Sequence, residues 1–200
     1  MNESIVIYDC EIIKAIPPKN DIDRLHGIEY CEGWNDHANM GISVIGAYDY
    51  LDDQYHVFCE DNFMSFRNLI RNRSLIVGFN SLSFDNKLCA ANNILVPDNR
   101  SYDLLVELWA ADGLGPKFEY PSHAGYGLDQ TCTVNFQCSK NGNGALAPVL
   151  WQQGKIGEVI DYCINDVRLT KLLMDAVIND VELINPSDIA KTLKLRNPIR

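Results

Sequence analysis

Two hydrophobic periods alternate along this chain. Residues 4–12 (SIVIYDCEI) are an almost continuous β-branched and apolar run, the pattern of a strand inside a sheet. Residues 41–48 and 54–59 predict two more strands, and the polar turn Asp49–Asp53 between them predicts a hairpin. Residues 74–79 (SLIVGF) predict another buried strand. Helical spacing replaces alternation over 62–72, where Phe63, Phe66, Leu69 and Ile70 share a face and Asp61 is the expected cap. A helix opening at Phe84 is expected over 84–93, whereas 102–111 suits strand and helix equally. A further helix is expected from Leu128. The longest helical period covers 156–178, through Ile156, Val159, Ile160, Cys163, Val167, Thr170, Leu173 and Val177. Residues 14–40, 112–126 and 139–144 interrupt these patterns as loops. The last segment, 185–200, opens on Asn-Pro-Ser, a helix-start signal, and carries Lys191, Lys194, Arg196 and Arg200.

Strands that come first as a hairpin and then alternate with helices predict an α/β fold, a mixed β-sheet flanked by helices. At 200 residues, 46% hydrophobic and 22% charged, the chain suits one globular domain, which is expected over 1–184 with a basic C-terminal extension over 185–200. No apolar run reaches the roughly 18 residues of a membrane span, and the N-terminus lacks the pattern of a secretory signal. Seven cysteines with no CxxC pair argue for reduced thiols and a cytoplasmic protein, in the host cytoplasm if it is phage-encoded. The net charge of −10 is confined to residues 1–66, with 13 acidic and 3 basic side chains; the rest is balanced. That excludes a broad basic clamp on nucleic acid. It does not exclude a nucleic-acid substrate, because bound cations invert the field of an acidic site.

Candidate chemistry lies in carboxylates. Asp9 and Glu11 are two apart on the first strand, so both face the same side. In a run otherwise built for burial, adjacent carboxylates need a cation or a proton between them. Asp85 follows a buried strand, Gly78 and a polar loop, which places it at the C-terminal sheet edge, where open α/β sheets keep their sites. Tyr162 and Asp166 are four apart on the long helix and share a face, while Asp161 points elsewhere.

In this order and spacing the motifs Asp9-Cys10-Glu11, Asn80-Ser81-Leu82-Ser83-Phe84-Asp85 and Tyr162-Cys163-Ile164-Asn165-Asp166 resemble the DEDD exonuclease superfamily on the ribonuclease-H-like fold. The match is to its tyrosine branch, which includes the 3′–5′ proofreading domains of DNA polymerases; no histidine occupies the position that marks the sister branch. The segment Lys140–Gly144, followed by Ala147-Pro148 and Gly154, is similar to the stretch before the third motif in stand-alone members. The resemblance implies a two-metal-ion 3′–5′ exonuclease using Mg²⁺ or Mn²⁺. It implies that Asp9 bridges both ions, Glu11 and Asp166 complete one, Asp85 supports the other, and Tyr162 orients the attacking water. It further implies that Asn80 and Phe84 shape the pocket of the terminal nucleotide. The substrate is then the 3′ end of single-stranded DNA or RNA, DNA favoured, with 5′-mononucleotides as products and a polymerase or replication protein as a possible partner. The chain is too short for a whole polymerase, so it would act alone or in trans.

Two alternatives stay open: an exoribonuclease or oligoribonuclease with the same chemistry, and an inactive binding module on the same fold. Inactive relatives usually lose a carboxylate, and all four are present here. Phe79, Phe84, Trp109, Tyr126 and Trp151 are candidate stacking faces for bases. The glycines of 140–144 could cradle a phosphate, although a plain loop is the simpler reading. His26, His37, His56 and His123 are scattered and suggest no metal site; Cys132 and Cys138 read as packing residues.

Overall fold

The computed structural model describes residues 4–142 and 144–200. A five-stranded mixed sheet has the order β3-β2-β1-β4-β5. Its strands are β1 (Ile5–Ile12), β2 (Ile42–Asp49), β3 (Gln54–Phe58), β4 (Leu75–Gly78) and β5 (Ser101–Asp103). The β1–β2–β3 pairs are antiparallel; β4 and β5 continue the sheet in parallel. With helices on both faces, this is the single-domain α/β arrangement expected of a ribonuclease-H-like fold.

The two-residue period of β1 divides the core. Ile5 and Ile7 face one apolar cluster, with Leu104, Leu108 and Leu173. Val6, Tyr8, Cys10 and Ile12 face the other, with Phe66, Ile70 and Leu88. The first face is covered by α4 (Leu104–Ala111), α5 (Leu128–Phe136) and α7 (Ile156–Ile178). The second is covered by α2 (Phe63–Arg71) and α3 (Asp85–Ala91). Two short helices complete the set, α1 (His37–Met40) and α6 (Ala147–Gln152).

Gly46, directly opposite Asp9 across the β1–β2 ladder, sets how closely α7 approaches the sheet. A Cβ there would lie 2.9 Å from Cys163 Sγ and 3.2 Å from Val167 Cγ2. Gly46→Ala should therefore lower the unfolding free energy by about 1–3 kcal/mol, an overpacking cost measurable by urea denaturation. Stability equal to wild type would show that α7 can move outward freely.

Several local expectations give way to tertiary context. Asp61 does not cap α2: residues 60–62 form a 3-10 turn, and Asn62 Oδ1 accepts from Cys59 N at 2.7 Å. The ambiguous 102–111 segment is both elements, a short strand through Asp103 and then α4. Ile156, at the solvent end of α7, is 44% exposed rather than buried. Residues 185–200 contain no helix. Asn185 is buried and its side-chain oxygen accepts from Ser187 N and Asp188 N, so Asn-Pro-Ser makes a turn. The turn joins β6 (Leu183–Ile184) to β7 (Thr192–Leu193). Leu193 and Leu195 are buried while Thr192 and Lys194 are exposed, so alternation, not helical period, decides this segment. Its charges are largely paired locally: Lys191 with Asp188, Arg196 with Glu107 and Arg200 with Asp180.

Candidate metal centre

β1 outruns its parallel neighbour. The β1–β4 ladder ends at Ile7 and Val77, and the chain then turns away through Gly78. A Cβ at Gly78 would lie 2.5 Å from Ser81 Cβ, so the turn is closed to any other residue. The Cys10 N–H, left without a strand partner on this side, donates to Asp85 Oδ1 at 3.1 Å. That bond seats Asp85, the first residue of α3, beside Asp9 and Glu11. On the other side of β1 the pairing slips between Glu11 and Ile12, a bulge that ends the regular ladder at Glu11.

From the opposite direction α7 brings Tyr162 and Asp166, both buried on its sheet-facing side. Cys163, between them, directs its thiol toward Asp9, 3.5 Å from the backbone oxygen and 3.7 Å from Oδ2. Asp9, Glu11, Asp85, Asp166 and Tyr162 all line one cleft of about 810 Å³ at the C-terminal edge of β1 and β4. Asn80 and Phe84 line it too, so every residue expected at the site is brought there. Phe79 is the other stacking candidate that reaches the cleft; Trp109 and Tyr126 are buried in the core, and Trp151 packs beside α7.

Two contributors escape a reading of the sequence. Asp103 spends its carboxylate on the loop before Asp85: Oδ1 accepts from Asn80 N at 2.8 Å and Oδ2 from Leu82 N at 3.0 Å. It also caps α4 through Leu105 N, and this Asp-before-apolar-run signal was available in SYDLL. Lys140 extends from the 139–144 loop, pairs with Asp166 Oδ2, and lies 3.3 Å from the Tyr162 hydroxyl. Its loop is anchored at both sides, by Lys140 N to Asp129 Oδ1 at 2.6 Å and by Asn141 Nδ2 to Asp161 Oδ2 at 2.9 Å. Gly142 and Gly144 pass against the Tyr162 ring: a Cβ on either would come within 3.0 Å of Cδ2 or 3.2 Å of the hydroxyl. Asn143 lies outside the described residues.

Burial first, and mutual repulsion second, hold back ionisation here. Asp9 is pushed well above the carboxylate range by burial and then by Asp85, Asp166 and Glu11. Glu11 is pushed up by burial and Asp166, with Lys140 opposing. Asp85 is pushed up to about 7 by burial, despite the Cys10 N–H bond. Asp166 is raised by burial against the pull of Lys140, and Tyr162 reaches about 12. Among the described residues, one buried oxygen of Asp166, Oδ1, has no hydrogen-bond partner.

This donor set fits hard divalent cations. Asp9, Glu11 and Cys163 present ligand atoms within 4.8 Å of one another, and burial keeps the Cys163 thiol protonated, so oxygen donors dominate. A second such group among the described residues, Asp49, Asp52 and His56, is different: Asp49 is already held by Arg73 through both carboxylate oxygens.

No family model matches this chain, and no curated protein sequence matches it. The chain is similar in structure to the family B DNA polymerase from the hyperthermophilic archaeon Pyrobaculum calidifontis. The TM-score is 0.58 at 15% identity, over 87% of this chain and 24% of that one. At such identity the likeness is one of fold, and it extends to a quarter of the polymerase. Among the described residues no helix is long and apolar enough to cross a membrane.

The site should make stability depend on pH. A carboxylate harder to ionise in the folded protein than in the unfolded chain favours folding while protonated, and that contribution is lost as pH rises through its folded value. For Asp85 the window runs from about 4, the unfolded value, to about 7. The metal-free Asp85→Asn variant should therefore gain thermal midpoint relative to wild type as pH rises through this window. Stabilisation of wild type by Mn²⁺ should grow over the same range, since cations compete with protons for the ligands. Parallel melting curves of the two proteins across pH check both; a constant difference would contradict the assigned shift.

Proposed function

We propose that this protein is a metal-dependent 3′–5′ exonuclease that shortens single-stranded nucleic acid, DNA favoured, to 5′-mononucleotides. One observation carries the reading: four carboxylates and a tyrosine from β1, α3 and α7 converge in one cleft. The three motifs that supply them resemble the tyrosine branch of the DEDD exonucleases, and the fold is shared with part of a DNA polymerase.

In this reading Asp9, Glu11, Asp85 and Asp166 hold two Mg²⁺ or Mn²⁺ ions. When bound, such ions acidify a water, neutralise the phosphoryl oxygens and stabilise the departing 3′-oxygen. Tyr162 orients that water through its hydroxyl. With a pKa near 12 the hydroxyl stays protonated at neutral pH, so it positions and does not deprotonate. Lys140, which pairs with Asp166 at the edge of the cleft, would supply an ammonium to a phosphate oxygen. Asn80 and Phe84 border the place of the terminal nucleotide, and a polymerase is a fitting partner for such an activity.

The test is a time course on 5′-labelled single-stranded DNA and RNA with Mg²⁺, Mn²⁺ or excess EDTA. A ladder shrinking from the 3′ end, 5′-mononucleotide as product and silence in EDTA are expected, with DNA degraded faster. Binding without cleavage under every condition would favour the inactive binding module instead.

A further inference from the structure

The cleft is lined by an exposed tryptophan, Trp34, that none of the three motifs supplies. The excursion between β1 and β2 carries Trp34 to the cleft, where its indole meets the Phe84 ring edge-on, with centroids 6.2 Å apart. Phe84 is braced in turn by His37 at 5.6 Å and belongs to the apolar cluster on the α2/α3 face of the sheet. Trp34 is nevertheless 68% exposed, and among the described residues it is the exposed large aromatic in this lining. At an interplanar angle of 68° the two rings do not stack on each other, and the exposed indole keeps surface available at the cleft.

The turn that presents Trp34 is built to stay in place. Ala15 N donates to Glu29 O at 3.0 Å, and Cys31 N to Ala15 O at 3.0 Å, tying the excursion back on itself. Asp36 closes the turn, its carboxylate accepting from Glu32 N at 2.8 Å and Asn39 Nδ2 at 2.7 Å. Gln152 of α6 locks it to the domain, donating to Ile13 O at 2.9 Å and accepting from Glu29 N at 2.7 Å. A rigid platform loses little freedom on binding.

Charge decides which part of a nucleotide belongs there. The excursion carries Asp21, Asp23, Glu29, Glu32 and Asp36 against Lys14, Lys19 and Arg24, and Glu29 and Asp21 are paired with Lys14 and Arg24, so it keeps a small net negative charge that disfavours a phosphate more than a neutral base. Lys140 and Tyr162 sit on the α7 side of the sheet, so the cation and the exposed ring border the carboxylates from opposite faces. We propose that Trp34 is the stacking platform for an unpaired base at the 3′ end, with Phe84 as its buttress. Stacking on a π-face does not distinguish the bases, so the site takes single strands of any sequence and requires the end to be unpaired. This inference rests on the exonuclease reading for the identity of the strand, but binding alone tests it.

The experiment is a fluorescence titration in EDTA or Ca²⁺, with short oligothymidylate and a matched oligomer whose last nucleotides are abasic. Oligothymidylate should quench wild-type emission. Trp34→Phe, which retains Trp109 and Trp151, should lose the quench while binding within a few-fold, followed by anisotropy of a labelled oligomer. Trp34→Ala should raise Kd roughly 10- to 100-fold, with an unchanged melting temperature, and the abasic end should bind wild type equally poorly. Equal Kd for Trp34→Ala and wild type, equal binding of the abasic end, or no binding of oligothymidylate would overturn the platform. The two readings separate cleanly. Quenching without hydrolysis in Mg²⁺ keeps the platform and removes the exonuclease; hydrolysis with KM unchanged in Trp34→Ala does the reverse.

Discussion

Asp9→Asn should reduce hydrolysis of single-stranded DNA by about 10³-fold or more at saturating Mg²⁺, and Asp166→Asn should act in the same direction. On the proposed reading each change would remove an oxygen ligand from a site whose cations would supply several kcal/mol of transition-state stabilisation, and each 1.36 kcal/mol is tenfold in rate. Folding should not suffer. Asp9, itself half-buried, stands beside the buried Asp85, Asp166 and Glu11, all of which oppose its ionisation. Substituting the neutral isostere relieves repulsion, so the metal-free thermal midpoint should hold or rise. A fall in activity accompanied by a falling midpoint would point to a folding defect. Activity within a few-fold of wild type in both variants would remove these carboxylates from the chemistry.

Tyr162→Phe should cost about 2–4 kcal/mol in the transition state, as for loss of one preorganised donor, or roughly 10- to 1,000-fold in kcat. The ring stays where Gly142 and Gly144 pack against it, and the hydroxyl is the one group removed. Metal affinity should be nearly unchanged because all four carboxylates remain. The signature is thus the opposite of Asp9→Asn, which weakens metal binding and rate together. Single-turnover rates at saturating Mn²⁺ separate them: an unaltered rate would reduce Tyr162 to a packing residue.

The parts of the site legible in the sequence are those fixed by local periodicity. The two-residue repeat of β1 puts Asp9 and Glu11 on the face of Ile5 and Ile7, and the four-residue spacing on α7 aligns Tyr162 with Asp166. Asp85 was legible as the residue after a strand and a glycine turn, because Gly78 admits no side chain there. Residues whose roles depend on partners far along the chain were not legible. Lys140 reads as part of a glycine loop until Asp129 and Asp161 fix that loop over Tyr162. Asp103 reads as strand or helix until its oxygens meet the Asn80 loop. Trp34 lies in a polar excursion without period, and Gln152, far along the chain, helps to hold that excursion in place. The final segment misleads for the same reason: Asn185 can start a helix, but its amide donates to Asp112 Oδ2 at 3.0 Å and the leucines beyond it bury on alternate positions.

The central claim is that four convergent carboxylates form one centre for two hard cations, and calorimetric titration of Mn²⁺ into the metal-free protein at neutral pH tests it most directly. Wild type and Tyr162→Phe should each bind two Mn²⁺ per chain with proton release, as expected for ligands held partly protonated. Asp9→Asn should lose at least one of the two. An absence of saturable binding, or an Asp9→Asn isotherm that superimposes on wild type, would contradict the account.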